Sequence, residues 1–174
     1  MIRKKLIFVA LFSLLSIPLC GRHLSDTEIQ KKFGGFLKRY SNSILDGLRK
    51  NAQPKELQKA LEHNSDMLDK KNHTDFVKEL KLNVHEQKYA PKIQKFINTM
   101  RKKNQSKENY AQTKKNIKEV YLACIKNNSK KKTECQRLAN AYSKFVTGID
   151  FATFLASPQK TKGDLFFEEL DAQS

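Results

Sequence analysis

The sequence predicts an all-α protein, a helical bundle of about four or five helices whose last two form a disulfide-stapled hairpin. Three observations carry this expectation. Apolar residues recur at spacings of three and four along most of the chain, as on one face of a helix. No segment shows the strict apolar and polar alternation of a half-buried strand. Cys124 and Cys135 fall on either side of the polar run Asn127-Asn128-Ser129-Lys130-Lys131-Lys132, which is a turn by composition.

Residues 1–20 are set apart from the fold. Arg3, Lys4 and Lys5 form a positive start, an apolar run follows from Leu6 to Leu15, and Pro18 precedes the Cys20-Gly21 step. This is the pattern of a secretory signal peptide, and the apolar run is short for a membrane span. A bacterial lipoprotein would use a cysteine at the place of Cys20, although Leu19 stands where a small residue is expected. Residues 21–156 are expected to form one basic helical domain, and residues 157–174 a polar and then acidic tail.

Within the domain, Ser25-Asp26-Thr27-Glu28 has the form of a capping box. Ile29, Phe33, Phe36, Leu37, Tyr40, Ile44, Leu45 and Leu48 then follow in helical register. One helix is expected over 27–49, weakened at Gly34 and Gly35. Pro54 suits a first helical turn, and Leu57, Ala60, Leu61, Met67 and Leu68 carry that helix to a break near Lys71. A shorter helix is expected over 75–82, with 83–90 a connection.

Pro91 opens a further helix with Ile93, Phe96, Ile97 and Met100 on one face. The polar stretch 101–109 interrupts that face, which returns at Tyr110, Ile117, Val120, Tyr121, Cys124 and Ile125. One long helix and two shorter ones both satisfy the pattern. Thr133 can cap the final helix, which carries Cys135, Leu138, Tyr142, Phe145, Val146 and Ile149.

The chain holds 34 Lys and Arg against 18 Asp and Glu, a net +16, and without residues 1–20 the net is +13. Such a charge attracts polyanions of any kind. It is unevenly placed: residues 91–134 hold thirteen basic side chains and three acidic ones. Lys102, Lys103, Lys107, Lys114, Lys115, Lys118, Lys130, Lys131 and Lys132 are the expected polyanion-binding residues. Lysine dominates over arginine and aromatic rings do not interleave with the charges, which disfavours sequence-specific nucleic-acid recognition.

Catalytic constellations are absent from the sequence. There is no G-x-S-x-G, no phosphate-binding glycine loop and no dinucleotide fingerprint. His23, His63, His73 and His85 lack metal-ligand spacing, and the cysteines lack C-x-x-C spacing, so neither metal nor cofactor is expected. In an oxidising compartment Cys124 and Cys135 are expected to pair. Asn72, Asn104 and Asn127 begin N-x-S/T sequons in polar segments and are candidate glycosylation sites.

Two short stretches resemble known families. Lys31-Lys32-Phe33-Gly34-Gly35-Phe36-Leu37-Lys38-Arg39 resembles the opioid neuropeptide precursors, whose Y-G-G-F-L or Y-G-G-F-M units are cut out at dibasic sites. Phe33 replaces the tyrosine and a single copy is present; the resemblance implies release of a pentapeptide. The stretch from Tyr121 to Tyr142, with Cys124 and Cys135, looks like half of a mitochondrial twin C-x9-C hairpin, with ten residues between the cysteines.

The sequence therefore predicts a secreted, non-enzymatic interaction protein, extracellular or, in a bacterium, periplasmic or lipid-anchored. Its expected partner is an acidic protein, a glycosaminoglycan or another anionic surface. The alternatives are a cationic membrane-active protein that inserts the apolar face of its first helix, and a peptide precursor cut at the dibasic pairs.

Overall fold

The computed structural model describes residues 24–70, 73–129 and 131–156. The expected signal peptide with Cys20, together with His23, Asn72, Lys130 and residues 157–174, lies outside the described residues. All regular structure among the described residues is helical.

Helix α1, Asp26–Phe33, opens on the expected capping box: the Glu28 amide donates to Ser25 Oγ, and Glu28 Oε2 accepts from the Ser25 amide at 2.8 Å. The helix expected over 27–49 is broken. It ends at Gly34, and α2, Phe36–Arg49, begins after Gly35. A Cβ on Gly34 would lie 2.4 Å from the Gln30 carbonyl oxygen, so the backbone folds here more closely than any side chain allows. The break turns Phe33, Phe36 and Leu37 into the core together. The apolar face that would have inserted into a membrane, and three residues of the opioid-like pentapeptide, are thus used inside the protein.

Helix α3, Pro54–Asp69, carries Pro54 in its first turn as expected. Helix α4 is His73–Glu79. The connection expected over 83–90 contains a helical turn, α5, Val84–Gln87, held by a second capping box between Asn83 and Glu86. The long polar interruption separates two helices, α6, Ala90–Lys103, and α7, Lys107–Asn127.

Helix α8, Lys132–Thr147, starts ahead of Thr133, because the Lys131 amide closes the turn onto Asn128 O and Lys131 O accepts from the Cys135 amide. It stops at Gly148, whose φ of 86° lies in the left-handed region that favours glycine. A last helical turn, α9, Phe151–Leu155, is capped by Asp150 and stacks Phe154 on Tyr110.

Helix α8 is the centre of the fold. It packs most extensively on α3 and α7, and also on α6 and α9. It buries Cys135, Leu138, Ala139, Tyr142, Phe145 and Val146 on one face and Ala141, Ser143 and Thr147 beside it, a wider arc than the apolar stripe of a surface helix. Cys124 and Cys135 are joined by a disulfide with Cα atoms 5.6 Å apart, tying the end of α7 to the start of α8.

The last carbonyls of α8 are taken up by the end of α6 and the turn after it, with Lys144 O also accepting from the Gly148 amide. Arg101 donates from Nε to Phe145 O at 2.9 Å and from Nη2 to Lys144 O at 2.7 Å. Asn104 Nδ2 donates to Val146 O at 2.8 Å and Gln105 Nε2 to Thr147 O at 2.6 Å. These tertiary bonds end α6 and explain the break before α7.

Candidate functional site: a lysine stripe on α7

Helix α7 has two unlike sides. At 100° per residue, Tyr110, Thr113, Ile117, Val120, Tyr121 and Cys124 share one side, and all are buried. Lys107, Lys114 and Lys118 fall within about 40° of one another on a flank beside the buried side, with Lys115 and Lys126 opposite it. The stripe from Lys107 to Lys126 is about 28 Å long at 1.5 Å per residue. Glu108 and Glu119 lie along one edge of it, and Leu122, 47 % exposed, lies inside it.

The expected lysines do not all join this stripe. Lys107 and Lys115 are exposed, and Lys114 and Lys118 are half-buried. Lys102 and Lys103 are exposed in the last turn of α6, where positive charge complements the helix dipole without any external anion. Lys131 donates to Gln53 Oε1 at 2.9 Å and lies 3.8 Å from Glu134, so part of its charge is already answered. Lys132 stands at the start of α8, where a lysine opposes the dipole and no side chain caps the free amides. Glu134 in the same first turn supplies negative charge to that end of the helix.

Arg101 belongs to the same basic segment but not to the surface. Its side chain is 3 % exposed, and Nη1 pairs with Asp69 Oδ1 at 2.7 Å. The residue spacing distinguishes this arginine from its lysine neighbours: it stands four residues after Ile97 and eight after Ile93, in register with the buried side of α6. A second signal is the polar trio Arg101, Asn104 and Gln105 at the end of that helix, since such a cluster needs acceptors.

Two of the sequon asparagines, Asn104 and Asn127, are also engaged. Asn104 Nδ2 holds Val146 O, and Asn127 Nδ2 donates to Leu48 O at 2.6 Å, so at both positions the nitrogen a glycan would join makes a tertiary hydrogen bond. Among the described residues no helix is long and apolar enough to cross a membrane, and no three His, Cys, Asp or Glu side chains converge as metal ligands. The sequence matches no protein-family model, and comparison with curated proteins and with solved structures found no match.

Proposed function

We propose that the chain is a secreted, non-enzymatic interaction protein that binds a polyanion, a sulfated glycosaminoglycan or the acidic surface of a partner protein, through the lysine stripe of α7 and the hairpin tip. The observation that carries this reading is the placement of Lys107, Lys114, Lys115, Lys118 and Lys126 within about 120° of the α7 circumference, an arc that holds none of the helix's buried residues. The long helices α2, α3, α6, α7 and α8 make the body of a bundle, and the Cys124–Cys135 bond holds the α7–α8 hairpin that presents the stripe. The N-terminal leader and the disulfide support export.

Lysines on a rigid helix meet a linear polyanion as point charges, and binding releases counterions in proportion to the charges neutralised. Retention on immobilised heparin should therefore fall steeply with salt. In the triple variant Lys107→Glu, Lys114→Glu, Lys118→Glu the elution salt should drop sharply. Retention unchanged in that variant would end the proposal.

A further inference from the structure

One concavity of the fold takes no part in the lysine stripe. Between α2 and α7 lies a cleft of about 410 Å³, within the range of roughly 300–1,000 Å³ usual for small-molecule sites. Its α7 wall is a row of amides, Asn109, Gln112 and Asn116, at the i, i+3 and i+7 positions that share one helix face. Ser41 and Asn42 of α2 line the other wall, the half-buried Leu45 and Met100 supply apolar surface, and the buried Leu37 and Tyr142 close the floor.

The charges in the lining are one lysine, Lys38, and one glutamate, Glu119. In a chain of net +16, a cleft whose lining charges cancel is not matched to a polyanion. Its polar groups are neutral and already oriented. Gln112 Nε2 donates to Asn116 Oδ1 at 2.7 Å, which leaves the Gln112 carbonyl as an acceptor beside the two amide protons of Asn116. Asn109 Nδ2 donates to Lys103 O and to Ser106 Oγ, both at 3.1 Å, leaving its carbonyl oxygen for a ligand.

We infer that this cleft is a binding site for a neutral carbohydrate. Each sugar hydroxyl both donates and accepts, so two neighbouring hydroxyls answer the adjacent acceptor and donor of Gln112 and Asn116. A pyranose ring also has a polar edge and an apolar C–H face, the same division as the amide wall and the apolar lining. An extended peptide is polar only at alternating backbone groups and turns its side chains to both sides, a poorer match to a continuous amide row. The site is separate from the lysine stripe, and salt separates the two: hydrogen bonds to a neutral sugar are insensitive to ionic strength, whereas polyanion binding is not.

The test is capture of the purified full chain on an array of neutral oligosaccharides built from hexoses and N-acetylhexosamines, with neutral peptides printed beside them. Capture by at least one oligosaccharide is expected, changing by less than about twofold between low and high salt. It should fall about tenfold or more in Asn116→Leu, the loss of roughly one well-made hydrogen bond, and be unchanged in Lys107→Glu. Asn42→Leu on the opposite wall repeats the test if Asn116→Leu fails to keep the helical circular-dichroism signal. No oligosaccharide capture, capture of peptides alone, or capture undiminished in both wall variants would overturn the inference.

Discussion

Arg101 joins three parts of the molecule through one guanidinium: Asp69 at the end of α3, its own helix α6, and the last carbonyls of α8. Replacing it leaves the Phe145 carbonyl short of its donor, takes one of two donors from Lys144 O and removes the partner of the half-exposed Asp69, so Arg101→Met should destabilise by about 2 kcal/mol in urea unfolding. Arg101→Lys should restore little, since an ammonium cannot reproduce the planar fork. Gly34→Ala should cost roughly 1–3 kcal/mol by the same measurement, because the methyl must displace the Gln30 carbonyl or reopen the α1–α2 turn. Burial pushes the Tyr142 phenol up to about 12, and burial together with the charge of Glu79 raises Tyr40 further. A raised folded pKa means that the folded state holds its proton longer than the unfolded chain. The stability tied to these phenols is therefore complete below the ordinary tyrosine pKa near 10, and is lost as pH rises through the folded values. Ultraviolet titration of tyrosinate should lag behind that of the denatured chain, and alkaline unfolding should begin above about pH 10.

At the scale of elements, the disulfide closes a loop of eleven residues' separation between α7 and α8. On the chain-entropy argument a loop of this size stabilises by about 3 kcal/mol, so Cys124→Ser with Cys135→Ser should lower the unfolding free energy by that amount while the helical signal persists. The elements that were legible in the sequence are those fixed locally: the Ser25 capping box, Pro54 in a first turn, and the two cysteines flanking a polar turn. What the residues did not announce depends on distant partners. The stop between α6 and α7 is made by α8 carbonyls forty residues away in sequence, and the early start of α8 by closure of its own turn. Helices α5 and α9 are a few residues long, too short for periodicity to register, and only their Asn83 and Asp150 caps betray them. The lysine stripe was legible as an excess of charge in residues 91–134. Its narrowing to α7, and the carbonyl and carboxylate partners that let Arg101 occupy the buried register of Ile93 and Ile97, needed the packing.

For the whole molecule, the central proposal is that charge is organised on one side of a rigid body and not merely abundant. Net charge alone would make any two or three surface lysines equivalent in binding a polyanion. Organisation makes them unequal. The measurement that separates these is the salt dependence of heparin-oligosaccharide binding for the wild type, for Lys107→Glu, Lys114→Glu, Lys118→Glu, and for a control reversal of the exposed pair Lys55→Glu, Lys59→Glu on α3. The α7 variant is expected to lose most of its affinity and to flatten the slope of log K against log salt, with the α3 variant close to the wild type. Losses in proportion to the number of lysines reversed, wherever they lie, would contradict a dedicated lysine face on α7.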